Sequence, residues 1–262
     1  MLDGWRHDLH NVRLLQDAHA DCVEAVFRED FSLPGNLKRV EIKSFGETRT
    51  FYRSTEPLQN RIFFTGNETS KRIDEVLRYF VDRNADCIMD VNPANFQVLP
   101  HLLTRGCSVE EFRSVWVCTG DLGRDESDFR LDCRRVDVAT FRRLSPLVED
   151  GEAGDPVDDL QPDPGFTYYP GFDNERPVAS AAMFFNGESV YLQWTGTHPD
   201  YRRRGYHGEM IRLRLGDAFE MGAKRAFSVT EFDSQSSYDL PRLGFTLTYN
   251  WLLIVREPRP LE

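Results

Sequence analysis

A pattern of strands and helices that occurs twice along the chain is the feature that most restricts its fold. The first copy opens with the strand-like residues 61–66 and the second with residues 191–196, and both end in Thr-Gly. Each opening strand is followed by an amphipathic helix, a short apolar strand, a second helix that stops at a glycine, and a closing strand. Such alternation predicts an α/β fold with two similar domains, each a mixed central sheet flanked by helices.

The pattern also gives approximate bounds for the elements and the domains. In the first copy it predicts helices over residues 69–83 and 94–104 and strands over residues 87–89 and 115–118. In the second copy it predicts helices over residues 206–221 and 236–243 and strands over residues 226–229 and 246–255. An opening strand (residues 130–136), a helix (138–147) and a hairpin around Asn186-Gly187 (176–195) precede them. The polar residues 121–128 suit a linker, which predicts domains at residues 1–125 and 126–262.

Charge and cysteine content narrow the classes of partner. The chain has 32 Lys and Arg against 43 Asp and Glu, a net charge of −11, which disfavours nucleic-acid and anionic-membrane binding and favours a cationic partner. No apolar stretch approaches the ~18 residues of a membrane-spanning helix. The five cysteines are widely spaced, which favours a reducing cytoplasm over a disulfide scaffold. His7 and His10 lack further ligand-type neighbours, so no metal site is predicted.

An acidic interval separates Arg143 from Arg176. It contains no Lys or Arg, and the prolines Pro156, Pro162, Pro164 and Pro170 predict that most of it lies outside regular structure. One interpretation is a solvated connection between elements. The other is an electrostatic lip that attracts a cationic substrate, and it predicts that neutralising Asp155, Asp158 and Asp159 weakens a cationic acceptor more than a neutral one.

A basic, glycine-containing turn lies between a strand and a helix in the second copy. Residues 199–208 contain three consecutive arginines, and Gly205 and Gly208 allow close approach to the backbone. The N–H groups at a helix N-terminus bind anions, and the arginines add charge-assisted donors. The segment is therefore predicted to bind a diphosphate; the first copy lacks it.

The order of elements in the second copy resembles the GCN5-related N-acetyltransferase (GNAT) family. Its residues Arg202-x-x-Gly205, followed by a helix, a strand and the closing Leu243-Gly244-Phe245, are similar to that family's phosphate loop and last motif. The resemblance covers about residues 130–256 and implies that the first copy is a degenerate domain of the same family. It also implies acetyl-CoA as the co-substrate, held by Thr195, Gly196, Thr197, Arg202, Arg203, Arg204, Gly205, Tyr206, His207 and Gly208. His207 departs from the family's usual Gly or Ala.

The resemblance implies direct transfer of the acetyl group from acetyl-CoA to an amine. The family often has a tyrosine acid at the position of Leu240, so Tyr238 is the substitute candidate, and Glu231 or Asp233 is the candidate base. Packing, capping or surface roles for these side chains remain alternatives. The acidic composition favours a small cationic acceptor; small amines, aminoglycosides, polyamines, amino acids and protein N-termini all stay open.

Two other functional classes remain. The first is a non-catalytic sensor that binds acyl-CoA in the same cleft, which the leucine at position 240 favours. The second is a general phosphate-binding α/β protein, which the absence of G-x-x-x-x-G-K-[ST] and G-x-G-x-x-G sequences disfavours.

Overall fold

A computed structural model describes residues 8–36, 38–55, 60–120, 129–149 and 165–259. The chain divides into two compact units. Unit 1 comprises Met1–Val115, Thr230–Ser234 and Thr248–Glu262, and unit 2 comprises Trp116–Val229 and Gln235–Leu247. Unit 1 is thus completed by residues near the C-terminus. The sequence prediction, which divided the chain into two consecutive segments, did not include this long-range association. The predicted linker at residues 121–128 lies outside the described residues, and the predicted domain boundary stays a prediction.

Unit 1 is built on a mixed sheet. Its strands are β1 (Glu41–Phe45), β2 (Thr48–Tyr52), β3 (Arg61–Phe63), β4 (Cys87–Val91) and the unit 1 part of β11 (Thr246–Arg256). β1, β2 and β3 pair in antiparallel order, β3 pairs with β4 in parallel, and β4 pairs with β11 in antiparallel. A parallel pair needs a crossover, which α2 (Ser70–Val81) supplies.

The alternation of side chains along β3 explains how both faces of the unit 1 sheet are covered. Ile62 and Phe64 pack in one apolar cluster with α2, whereas Phe63 packs in another with Phe27 of α1 (Leu9–Phe31). The predicted helix at residues 69–83 is confirmed as α2, with Thr69 as its N-cap. The helix predicted over residues 94–104 is shorter, a 3₁₀ turn followed by α3 (Leu99–Leu103).

Unit 2 also has a run of antiparallel strands followed by a parallel pair, with four antiparallel strands where unit 1 has three. Its elements are β6 (Asp132–Cys133), α4 (Val138–Glu149), β7 (Phe166–Asp173), β8 (Arg176–Asn186), β9 (Ser189–Thr197), α5 (Tyr206–Glu220), β10 (Arg225–Glu231) and α6 (Gln235–Asp239). β6 to β9 pair in antiparallel order, and β9 pairs with β10 in parallel across α5. β5 (Ser108–Cys118) and β10 each contribute residues to both units. The predicted hairpin around Gly187, which has φ +59°, is confirmed.

The structure differs from the sequence prediction, or adds to it, at three places. The interval between Arg143 and Arg176, most of which was predicted to lie outside regular structure, contains β7, and Pro170 lies inside that strand; its carbonyl oxygen accepts a hydrogen bond from the Arg134 N–H, 3.2 Å away. The strand predicted over residues 130–136 is only β6, with an isolated bridge from Val136 to Tyr168. Helix α1 was not predicted, because buried polar side chains such as Gln16, His19 and Asp30 interrupt its apolar stripe.

Among these buried polar side chains, His19 has a pKa that is far from its ordinary value. Its ring stacks on Trp251 with centroids 5.2 Å apart, and its Nδ1 lies 3.3 Å from a carboxylate oxygen of Asp90. Burial lowers the pKa of His19 to about 4, although Asp90 acts in the opposite direction. The unfolded chain therefore binds more protons than the native chain between about pH 6.5 and pH 4.

We expect the native protein to lose stability as the pH falls through this range. The loss attributable to His19 is at most about 3 kcal/mol, fully absent above pH 6.5 and complete below pH 4. Urea denaturation at pH 7, 5 and 4 measures it, and His19→Gln should flatten the dependence. His10→Gln, at an exposed position in α1, is the matched control. Parallel pH profiles for the native protein and His19→Gln would contradict the assignment.

Candidate functional site

The end of β9 departs from regular sheet structure. Its parallel pairing with β10 covers residues 189–192, and the strand then continues to Thr197. Its register against β8 shifts between Ser180 and Ala182, and Trp194 has a φ of +49°, which is unfavourable for a bulky side chain. A β-bulge therefore redirects the last residues of β9.

A buried arginine in α5 holds this bulge. Arg214 donates from Nη1 to the carbonyl oxygens of Ala182 at 2.8 Å and Gln193 at 3.2 Å, and from Nη2 to the hydroxyl oxygen of Thr195 at 2.7 Å. The side chain is fully buried, and burial lowers the pKa of Arg214 to about 10, so the guanidinium still carries its charge near neutral pH. Bonds to a charged donor are stronger than neutral ones, so Arg214 ties β8, β9 and α5 together.

Arg214 was missed in the sequence, although a signal for it exists. It lies three residues after Ile211 and four before Ala218, inside the apolar stripe that predicts α5. A charged residue on a buried helix face is rare unless it is paired or hydrogen-bonded. The interruption of the stripe therefore marked a position with a specific polar role.

The turn between β9 and α5 has the backbone geometry of an anion-binding loop. Pro199–Tyr201 forms a 3₁₀ turn, Arg203 has a φ of +63°, and Gly205, the N-cap of α5, has a φ of +86°. Among the described residues, no side chain caps the first N–H groups of α5. The positive φ of Gly205 favours glycine; a Cβ atom there would meet only a terminal nitrogen of the Arg130 side chain, at 2.7 Å. The helix N-terminus is consequently open to an anion.

The three loop arginines have different surroundings. Arg202 donates from Nε to the carbonyl oxygen of Thr197 at 3.2 Å, which links the loop to the strand end. Arg204 donates to the carbonyl oxygen of Asp200 at 3.3 Å and lies over the Tyr201 ring. Arg203 is exposed.

A buried carboxylate supports the start of α5. Glu209 accepts hydrogen bonds from the backbone N–H groups of Arg130 and Leu131, at 3.0 and 3.1 Å, and from the Arg130 guanidinium at 3.1 Å. It lies in the first turn of α5, where a negative charge is stabilised by the helix dipole. Glu209 thus fixes the residues before β6 against the helix that carries the loop.

The strand end, the loop and α6 enclose one cavity of about 880 Å³, which we call the unit 2 cavity. Nine of the ten predicted cofactor-binding residues line it: Thr195, Gly196, Thr197, Arg202, Arg203, Gly205, Tyr206, His207 and Gly208. Arg204 is the exception. The hydroxyl oxygen of Thr197 is buried and has no hydrogen-bond partner among the described residues. A buried polar atom without a partner is costly, which points to a ligand at this place.

The opposite wall of the unit 2 cavity was not predicted. It includes Gln235, Ser236, Asp239, Arg242 and Leu243. Asp239 lies 3.9 Å from the His207 Nδ1 and 3.6 Å from an Arg242 nitrogen. Burial lowers the pKa of His207, the charge of Arg214 lowers it further, and Asp239 opposes both.

Positive charge is concentrated in this cavity. Among the described residues, its charged lining is Arg202, Arg203, Arg212, Arg242 and one carboxylate, Asp239, in a chain whose net charge is −11. This local excess of cations suits a polyanionic ligand.

The candidate catalytic residues lie elsewhere. Tyr238 is an exposed residue of α6 and does not belong to the lining of the unit 2 cavity. Glu231 and Asp233 belong to unit 1; Glu231 is exposed, and its carbonyl oxygen accepts a hydrogen bond from the Ser234 hydroxyl at 2.9 Å. Leu240 is buried in the apolar core of unit 2. The proposed catalytic roles of Tyr238 and Glu231 stay predictions.

Other predicted features are located as follows. Residues 150–164, which include Asp155, Asp158 and Asp159 of the predicted electrostatic lip, lie outside the described residues. In the part of the chain that is described, no cluster of three or more His, Cys, Asp or Glu side chains forms a potential metal site. No helix within the same ranges has the length and apolar character needed to cross a membrane.

Residues 135–245 match the model of the Acetyltransferase (GNAT) family. The matched segment runs from just before α4 to the residue that follows the turn after α6, so it contains the unit 2 cavity. None of the curated protein sequences matches the chain significantly.

Solved structures resemble a much larger part of the chain. A GCN5-related N-acetyltransferase from Kribbella flavida is 16% identical, with a TM-score of 0.68 over 92% of this chain and 96% of its own. A GCN5-related N-acetyltransferase from Sphaerobacter thermophilus is 12% identical, with a TM-score of 0.61 over 82% of this chain and 78% of its own. A tandem GNAT protein from the clavulanic acid biosynthesis pathway is 11% identical, with a TM-score of 0.60 over 98% of both chains. The chain therefore has the fold of these proteins.

Proposed function

We propose that this protein is an N-acetyltransferase that binds acetyl-CoA in the unit 2 cavity and transfers the acetyl group to a small cationic amine. One observation carries the proposal: the end of β9, where the Thr197 hydroxyl oxygen has no partner among the described residues, lines one open cavity together with the glycine- and arginine-containing loop before α5. An elongated ligand with amide groups, such as the pantetheine arm of CoA, satisfies polar groups at the end of a strand.

The loop before α5 is the proposed diphosphate site. Its open N–H groups and the Arg203 side chain supply donors for the phosphate oxygens, and Arg202 and Arg212 add positive charge. A diphosphate near His207 would favour its protonated form. The cavity thus combines a site for an extended polar chain, which suits the pantetheine arm of CoA, with a site for a polyanion, which suits its diphosphate.

The proposed reaction balances as a direct acyl transfer. The neutral amine nitrogen attacks the thioester carbonyl carbon, so that a C–N bond forms and the C–S bond breaks. The amine gives up one proton to a base, and CoA leaves as a thiolate that takes up one proton. Glu231, or Asp233, stays the proposed base and Tyr238 the proposed acid. No metal ion is needed for this chemistry.

We also propose that unit 1 is a degenerate copy of the same domain. The support is the pairing scheme: antiparallel strands, three in unit 1 and four in unit 2, are followed by a parallel partner across a helix. In unit 1, the end of β3 corresponds to the end of β9, and side chains of unit 1 bond the main-chain groups there. Asn95 donates from Nδ2 to the carbonyl oxygens of Phe64 at 3.0 Å and Asp90 at 3.1 Å, and so bridges β3 and β4.

The backbone groups of Thr65 and Gly66 in unit 1 are also hydrogen-bonded by side chains of the same unit. The Glu68 carboxylate accepts hydrogen bonds from the backbone N–H groups of Thr65 and Gly66, both at 2.8 Å. Gln97 donates to the carbonyl oxygen of Gly66 at 2.6 Å. A carboxylate at these donors leaves no room for a ligand anion, which supports the proposal that unit 1 binds no CoA.

The main alternative is a sensor that binds acyl-CoA without turnover. The buried Leu240, at the position where the family often has a tyrosine acid, favours it. The acceptor of the proposed enzyme is a small amine rather than nucleic acid or a membrane, in keeping with the acidic chain. We place the reaction in the cytoplasm, because all five cysteines are free thiols.

Thiol release from acetyl-CoA separates the enzyme from the sensor. The full chain is mixed with acetyl-CoA and a panel of polyamines, aminoglycosides, amino acids and peptides with free N-termini. We expect amine-dependent thiol release with at least one cationic acceptor. Saturable acetyl-CoA binding without release over the whole panel would instead establish the sensor.

The variant Gly205→Glu tests the diphosphate site. We expect it to abolish acetyl-CoA binding, measured by titration calorimetry, because it places a carboxylate where the diphosphate lies and strains a residue with φ +86°. Gly187→Glu is the matched control, since Gly187 also has a positive φ, has nothing within 4 Å of a Cβ atom, and lies in the β8–β9 turn. Unchanged affinity in a folded Gly205→Glu protein would rule out this loop.

Binding stoichiometry tests the proposal for unit 1. We expect one acetyl-CoA per chain at saturation, because Glu68, Asn95 and Gln97 occupy the corresponding place in unit 1. Equilibrium dialysis with labelled acetyl-CoA measures the ratio. Two sites per chain in the native protein, one of which persists in Gly205→Glu, would contradict the assignment of unit 1 as a closed copy.

A further inference from the structure

The hydroxyl of Thr195 lies between a buried cation and the unit 2 cavity. Its oxygen accepts a hydrogen bond from Arg214 Nη2 at 2.7 Å, and Thr195 lines the cavity. A guanidinium is a donor only and cannot take the hydroxyl hydrogen in return. Among the described residues, the structure shows no acceptor for that hydrogen, which is therefore available to a ligand.

The position of this hydroxyl oxygen is fixed by its surroundings. Arg214 has little freedom to turn away, because its Nε donates to the Met210 carbonyl oxygen at 3.0 Å and its Nη1 to Ala182 at 2.8 Å. The adjacent residue Trp194 has a φ of +49° and stacks on Phe166 with ring centroids 5.4 Å apart. The bulge, the buried arginine and the aromatic stack thus hold Thr195 in one position.

A fixed donor near a positive charge is what a developing oxyanion requires. When an amine attacks a thioester, the carbonyl oxygen gains negative charge, and donors that are already oriented stabilise it without reorganisation. Arg214 withdraws electron density from the Thr195 oxygen, which strengthens the hydroxyl as a donor. Its charge also lies in an environment of low polarity, where its field is weakly screened.

We infer that the Thr195 hydroxyl donates a hydrogen bond to the acyl carbonyl oxygen of the bound thioester, and that Arg214 acts through it as a positioning residue. This inference rests on the proposed function, since it requires acetyl-CoA in the unit 2 cavity. It assigns to two side chains a role in polarising the acyl group, in addition to any backbone donors of β9.

The carbonyl signal of bound [1-¹³C]acetyl-CoA tests the inference without an acceptor. We expect a downfield shift of the carbonyl resonance on binding to the native full chain, because a hydrogen bond polarises the C=O group. Thr195→Val keeps the side-chain shape, and we expect the bound signal to return toward its position in free acetyl-CoA. Thr195→Ser restores the hydroxyl and should restore the shift.

The kinetics of Thr195→Val and the carbonyl shift in Arg214→Lys supply the second readout. With an amine that supports thiol release, Thr195→Val should lower kcat by about tenfold to a hundredfold with little change in KM for acetyl-CoA. Arg214→Lys keeps the charge, but its single ammonium group cannot make the same set of bonds, so we expect a partial loss of the shift. A purely structural role would lower thermal stability or affinity and leave the bound carbonyl signal unchanged.

The outcomes separate this inference from the proposed function. Acetyl-CoA binding with the same carbonyl shift in the native protein and in Thr195→Val overturns the inference alone. Failure of the native protein to bind acetyl-CoA overturns both. A shift that is lost in Thr195→Val and regained in Thr195→Ser supports the inference, whether or not Arg214→Lys folds.

Discussion

The central constraint on this protein is the need to satisfy main-chain polar groups where two parallel strands stop pairing. In unit 2, pairing between β9 and β10 covers residues 189–192, but β9 continues to Thr197. Buried N–H and C=O groups beyond that point require partners. Arg214 donates to the Gln193 carbonyl oxygen and to the Thr195 hydroxyl oxygen, and Thr195, Gly196 and Thr197 line the unit 2 cavity.

The two units solve the same problem in opposite ways. In unit 1, Asn95 donates to the carbonyl oxygens of Phe64 and Asp90, and the Glu68 carboxylate accepts from the Gly66 N–H. Side chains of the unit therefore occupy the positions that a ligand would take. In unit 2, a longer loop containing Arg202 and Gly205 precedes the helix, and a buried hydroxyl oxygen at Thr197 is left without a partner. In the proposed function, this contrast separates an open unit that binds acetyl-CoA from a closed one.

Much of the fold around the site could be predicted from the sequence. The amphipathic pattern gave α2 and α5, the Asn186-Gly187 turn gave the β8–β9 hairpin, and the glycine and arginine spacing indicated the loop before α5. These signals are local, since they depend on periodicity and turn chemistry within one segment. The predicted residues 195–208 form one continuous segment of the chain, and nine of the ten that were named line the same cavity.

The remaining features depend on contacts between distant segments. Inclusion of Thr248–Glu262 in unit 1 has no local signature, and Pro170 is accommodated in β7 only through its place beside β6 and β8. Gln16 and His19 interrupt the stripe of α1 because each has a polar partner far along the chain, Phe64 and Asp90. Arg214 is buried for the same reason, since its acceptors in β8 and β9 come from other elements.

The position of the diphosphate tests the central claim most directly. A crystal structure of the full chain with acetyl-CoA should show the diphosphate against residues 203–208 at the start of α5, with the pantetheine arm along Thr195, Gly196 and Thr197 and none in unit 1. Acetyl-CoA bound at another surface, with the unit 2 cavity still open to solvent, would contradict the account.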